Sequence, residues 1–369
     1  MGKIFDRIAT MENALASFRV VRRGHSEDLS MLKFEADLMT NVSEVLKSVR
    51  EGTYRVRGYR TLIVREPKQR DIFAPYLEDR LVQQMIYGVI EPYLDRKMDF
   101  YSCACRTGKG VEFARKSCQR MMRQGDSVWY VKLDIDKFFA SIDHDILKSI
   151  LAKHIRDKEV LALVCHFIGN GFGHRGIPIG NLLSQLFANL YLNELDGFIR
   201  SGTKTTHYVR YMDDFICFAR SKEEAKEIQK AAIGFVNENL HLSIDNRKVK
   251  LQRVRHGVTF LGHRIMPHRS FLSKTKTGVI KRRLKRNARN ARSSAMSHSL
   301  ANIVPKDDHR MLGWLFDIYN RSASYVEKLD ALRAFSKKFS VSMIGDAIVL
   351  SKALLMGLTR YQNTRRVTL

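Results

Sequence analysis

Three aspartates could do chemistry together: Asp213 and Asp214, adjacent in Tyr211-Met212-Asp213-Asp214, and Asp134 in Val131-Lys132-Leu133-Asp134-Ile135-Asp136. Hard divalent cations such as Mg²⁺ take oxygen ligands and keep several waters, so a few carboxylates suffice when substrate phosphates complete the shell. Two such ions, about 3.5–4 Å apart, activate an attacking hydroxyl and stabilise the leaving oxygen of an in-line displacement. The acids therefore point to phosphoryl transfer. An Asp-Asp pair by itself equally suits a polar turn, so the weight falls on what surrounds it.

The surroundings predict a hairpin. His207 to Tyr211 and Phe215 to Ala219 are rich in aromatic and β-branched residues, and Met212-Asp213-Asp214 between them suits a turn. Within the stretch from Val128 to Phe139, two-residue alternation sets Asp134 on the face opposite Trp129, Val131 and Leu133. That face would meet the hairpin tip in a neighbouring strand.

Other elements follow from spacing and caps. Ser26 to Glu51 predicts one helix, Tyr54 to Phe73 a basic hairpin turning near Pro67, and Tyr76 to Tyr87 a helix. Tyr101 to Gly110 reads as a basic, glycine-bearing loop. A capping box of Ser221 and Glu224 opens a helix to about Leu240, with Ala225, Ile228, Ala232, Phe235 and Val236 as its apolar stripe. Strand, hairpin and covering helix make an α+β core.

The chain has 369 residues, with 64 Lys and Arg against 38 acids and a net charge of +26. That balance is expected of a protein that meets polyanions, nucleic acid first. From Lys274 to Arg292 there are nine basic residues and no acidic one. No apolar run is long enough to span a bilayer, and Met1 to Arg7 lacks a secretory pattern, so no membrane partner and a cytoplasmic setting are expected. Cys103, Cys105, Cys118, Cys165 and Cys217 form no paired CxxC framework and read as reduced thiols.

Asp134 to Asp143, Gly176 to Asn189, Tyr211 to Asp214 and Phe260-Leu261-Gly262, taken in order, resemble the motifs of a reverse transcriptase. The resemblance covers most of residues 60–265. It implies a right-hand polymerase: an N-terminal helical extension over 1–55, interleaved fingers and palm over 56–265, and a basic helical thumb and C-terminal region over 266–369. Asp134, Asp213 and Asp214 would be the catalytic acids and would hold two Mg²⁺ or Mn²⁺ ions, with the Ile135 carbonyl as a further ligand.

By the same resemblance Phe139 is the steric gate against a 2′-hydroxyl, and Gly180, Ser184 and Gln185 lie where template and incoming nucleotide are contacted. Lys68 and Arg70 would grip the triphosphate. Lys248 would protonate pyrophosphate, with Lys250 as the alternative. Arg106 and the run Lys281, Arg282, Arg283, Lys285 and Arg286 would meet the nucleic-acid backbone.

Ile179-Gly180 stands where many retroelement polymerases carry Gln-Gly, and Ser184-Gln185 follows. That variant resembles diversity-generating retroelements and related antiphage-defence reverse transcriptases. The implied activity is cDNA synthesis from a dedicated or structured RNA, with dNTPs and a DNA/RNA duplex as partners and an accessory protein or second copy alongside. A maturase-like, RNA-binding scaffold is the second reading.

Overall fold

The computed structural model describes residues 4–25, 28–64, 70–168, 173–273, 275 and 277–279. The chain divides into two compact units, residues 1–256 and 257–369.

The first unit begins with helices α1 (Ile4–Ile8), α2 (Met11–Arg22), α3 (Leu29–Ala36) and α4 (Leu38–Arg50). The single helix expected over 26–51 is thus two. At Asp37 the backbone leaves the helical region (φ −132°, ψ 57°) and breaks an apolar periodicity that continues across the junction. Strands β1 (Tyr59–Val64) and β2 (Arg70–Pro75) form an antiparallel pair of their own, and α5 (Leu77–Asp95) and α6 (Val111–Met121) follow.

The sheet that carries the acids comes next. It combines β3 (Trp129–Asp134), β4 (Tyr208–Tyr211), β5 (Asp214–Ala219) and β6 (Lys250–Arg253) in the order β4-β5-β3-β6, every neighbouring pair antiparallel. Between β3 and β4 lie α7 (Phe138–Ser141), α8 (His144–His154), α9 (Lys158–Cys165) and α10 (Leu182–Gly202); α11 (Lys222–Glu238) joins β5 to the segment before β6. Val131, Leu133, Phe215 and Cys217 are buried in one hydrophobic core with Ala225, Ile228, Ala232 and Val236 of α11. Each fully buried Val, Leu or Phe contributes about 1.5–3 kcal/mol, so this layer fixes the sheet firmly. Ser221 caps α11 as expected, its hydroxyl accepting from the Glu224 amide at 3.1 Å, while the Glu224 carboxylate accepts from the Arg220 amide at 3.0 Å.

In the second unit β7 (Val258–Phe260), β8 (His263–Ile265) and β9 (Ser270–Leu272) form an antiparallel meander. Leu261 and Gly262 both have positive φ (50° and 78°), the signature of the tight hairpin turns whose twist matches the strands. No described helix is long and apolar enough to cross a membrane.

Candidate active site on the central sheet

Register brings the acids together. β3 and β5 pair so that Asp134 lies directly opposite Asp214, and Asp213 occupies the turn before it. Directly opposite residues in an antiparallel pair hold their Cβ atoms about 4.5–5.5 Å apart, within reach of a shared ion. The turn is held from β3, because the Ile135 amide donates to the Asp213 carbonyl at 3.1 Å. Met212 takes a left-handed conformation (φ 56°), which an L residue adopts only at a cost. The sequence-derived hairpin and the shared face are therefore both present.

Like charges gathered on one face require compensation, and two lysines supply it. Lys132 Nζ lies 2.7 Å from Asp214 Oδ1 and 2.8 Å from Oδ2, with its directed hydrogen bond to Oδ2. Asp214 Oδ1 is buried and receives no directed hydrogen bond. Burial pushes the Asp214 carboxyl up to about 6 against the pull of Lys132, with Asp134 and Asp213 adding to the rise. Lys248 donates to Asp134 Oδ1 and stands 3.7 Å from Asp245 Oδ2. Burial alone would lower Lys248, but the hydrogen bond and charge of Asp134, helped by Asp245 and Asp213, raise it.

These groups fit a divalent cation. Two ammonium groups already sit on the carboxylates, where a cation is therefore accommodated, and the carboxylate ligands are hard oxygens of the kind Mg²⁺ takes. Among the described residues no three acidic, histidine or cysteine side chains are gathered closely enough to hold a metal ion by themselves.

Around the acids, Phe139 is half-buried on α7, its ring 5.5 Å from Phe138 and its carbonyl accepting from the Ile177 amide at 2.8 Å. Gly180 has φ 107°, and a Cβ there would lie 2.8 Å from Ile72 Cγ2 and 3.3 Å from the Phe73 carbonyl oxygen. Its close approach is therefore to β2, reinforced by the Phe73 amide donating to the Ile179 carbonyl at 2.8 Å. At the start of α10, Asn181 is bound by the Gln83 side chain and itself donates to the Tyr59 hydroxyl.

Two expected site residues are placed elsewhere. Ser184, expected with Gln185 at the substrate, is buried (2% exposed); Gln185, half-buried, is the member of the pair that presents surface. Arg106, expected at nucleic acid, has a side chain only 6% exposed, paired with Asp95 and donating to the Asp99 and Ser102 carbonyls. A guanidinium satisfied in this way ties the loop before α6 to the end of α5. Arg70 stands in β2 opposite Val64. Lys68, Lys281, Arg282, Arg283, Lys285 and Arg286 lie outside the described residues.

Lys132 and Arg210 complete the site without having been expected there. Arg210 is a lone cation in a strand buried from Tyr208 to Arg210, which was the available signal, whereas Lys132 shares the face of Asp134 and carried none.

Comparison with known proteins gives the same outline. Residues 66–265, more than half of the chain, match the family model for reverse transcriptase (RNA-dependent DNA polymerase). The group II intron-encoded protein LtrA of Lactococcus lactis subsp. cremoris is 23% identical over 315 residues, covering 66% of this chain and 52% of LtrA. The nuclear intron maturase 1, mitochondrial, of Arabidopsis thaliana is 19% identical, covering 51% of this chain and 40% of the relative. The chain thus spans about half the length of LtrA or less of such relatives. A telomerase from Candida albicans, solved with a fragment of telomeric RNA, overlays with a TM-score of 0.49 at 11% identity, covering 77% of this chain and 56% of that one.

Proposed function

The chain belongs to the reverse transcriptase family, and from that premise we propose that it is an RNA-directed DNA polymerase that extends a primer hydroxyl with deoxynucleotides. The observation that carries the reading is the cross-strand pairing of Asp134 with Asp214, which sets the two carboxylates side by side on one face of the sheet. Asp134, Asp213 and Asp214 would hold Mg²⁺, which supplies Lewis acidity and a lowered hydroxyl pKa at the site. Phe139 narrows the sugar pocket towards deoxynucleotides, and Lys248, held protonated by Asp134, is placed to give a proton to the leaving pyrophosphate.

In this reading residues 56–265 carry fingers and palm, residues 266–369 contribute a basic duplex-tracking region, and residues 1–55 form an extension. The template is a dedicated RNA of a diversity-generating retroelement or an antiviral defence system, a role supported by Ile179-Gly180 and Ser184-Gln185. The protein works in the cytoplasm, where its five free cysteines stay reduced.

A second reading, an RNA-binding scaffold with little synthesis, is favoured by the maturase among the relatives. One experiment separates the two: extension of a primed RNA by purified protein with dNTPs and Mg²⁺, with Asp213→Asn and Asp214→Asn as controls. Metal-dependent extension lost in both controls supports the polymerase. RNA binding without extension by the wild type sinks it. Sequencing the RNA and cDNA that copurify distinguishes mutagenic copying from defence-linked synthesis.

A further inference from the structure

Arg210 is the largest fully buried side chain described, a cation with no exposure in the strand that leads into the catalytic turn. Its donors are all used. Nε donates to Asp196 Oδ1 at 2.7 Å and Nη2 to Asp196 Oδ2 at 2.5 Å. Nη2 also reaches the Ser102 hydroxyl at 2.8 Å and the Asn189 carbonyl at 3.4 Å, and Nη1 reaches Asn189 Oδ1 at 3.2 Å. The remaining bond, from Nη1, goes to the carbonyl of Met212 at 3.2 Å.

Its partners converge from three elements. Asn189 and Asp196 lie two turns apart on α10, and Ser102 belongs to a segment bridged to Arg210 along the β4 edge of the sheet. The Tyr208 hydroxyl donates to Asp196 at 2.7 Å, and the Asn189 amide donates to the Ala104 carbonyl at 2.8 Å, so both acceptors are themselves fixed. Burying a guanidinium–carboxylate pair costs desolvation that well-packed apolar residues would avoid, so its presence is poor evidence of a role in stability alone. What this pair gains is direction. One rigid fork reaches the carbonyl of a residue in a strained left-handed conformation, and the next two residues are Asp213 and Asp214.

We propose that Arg210, oriented by Asp196, is a positioning residue that holds the left-handed turn at Met212 and thereby sets Asp213 and Asp214 for metal binding opposite Asp134. The inference rests on the polymerase reading but names a device that the family match does not specify. It also links the turn to α10, the helix whose first turns carry Ser184 and Gln185.

The test measures Mn²⁺ binding directly, by the loss of the free-ion electron paramagnetic resonance signal, beside primer extension across an Mg²⁺ series. Arg210→Lys keeps the charge and loses the fork; Ser102→Ala deletes one acceptor and leaves the ion pair. Folded Arg210→Lys is expected to weaken Mn²⁺ binding about 10–100-fold, as loss of an outer support of a metal ligand does, with the KM for dNTP little changed. Ser102→Ala should shift the same midpoint in the same direction by less, and it serves alone if Arg210→Lys does not fold. Glycine reaches the left-handed region without a Cβ penalty, so Met212→Gly placed on the weakened variant should recover part of the affinity. An Mn²⁺ midpoint unchanged in the folded variants overturns the proposal, as does a weakening that Met212→Gly leaves untouched. A wild type that neither binds Mn²⁺ nor extends a primer fails the polymerase reading and takes this inference with it.

Discussion

Two hairpins of the first unit differ sharply in support. The β4–β5 hairpin is roofed by α11, flanked by β3 and tied internally by Arg210, and Val209, Phe215, Ile216, Cys217 and Phe218 are fully buried. In the β1–β2 hairpin, Leu62 and Ile63 are each 55% exposed and Val64 is 44% exposed. Its anchorage is at the base, through Tyr59 with Phe73 and Asn181 and through the Phe73–Ile179 backbone bond. An isolated two-stranded hairpin is marginal in water. Asp213 and Asp214 therefore sit on the hairpin whose geometry is over-determined, whereas β1–β2 leaves apolar surface exposed.

The largest effect should come from the supported hairpin's chemistry. Asp214→Asn is expected to cut metal-dependent extension by about 10³-fold, several kcal/mol of lost charge stabilisation, as read by single-turnover kinetics. Retained activity would undo the assignment. Phe139→Ala should keep extension but relax sugar discrimination by about 10–10²-fold, as one pocket contact does, measured as the dNTP-to-rNTP ratio of kcat/KM.

Packing should separate the hairpins next. Phe215→Ala, in the core on β5, is expected to cost about 3–5 kcal/mol in urea unfolding, whereas Ile63→Ala should stay within about 0.5 kcal/mol. Comparable losses would mean that β1–β2 is as supported as the palm.

A further effect concerns pH. Burial raises Asp214 from the ordinary aspartate range to about 6, so the folded protein keeps a proton there that the unfolded chain releases near pH 4. The free-energy cost of ionising it, up to about 3 kcal/mol, is absent below about pH 4 and full above about pH 6. In chelator, stability should therefore fall from this group as pH rises through that window. Thermal melts of Asp214→Asn should lose that slope.

Much of this was legible in residue order. The acids, their strands and the helix after Ser221 follow from alternation, turn chemistry and a cap, because each signal is local. What was hidden depends on distant partners. Lys250 to Arg253 is polar and exposed along most of its length, yet is a strand because β3 pairs with it. Arg106 was expected at the nucleic-acid backbone, and only its pairing with Asp95 shows it turned inward; the break at Asp37 is invisible to periodicity. Gly180 was legible as a close approach, but not that β2 is what approaches.

The direct opposition of Asp134 and Asp214 also constrains how such a sequence can drift. Side chains alternate along a strand, so inserting or deleting one residue within Trp129 to Leu133 would carry Asp134 to the opposite face or move the upstream core residues out of theirs. Substitution is tolerable there where volume is conserved, whereas an odd change in length is not. Descendants of this palm are free to diverge in residue identity along β3, but they must keep its spacing.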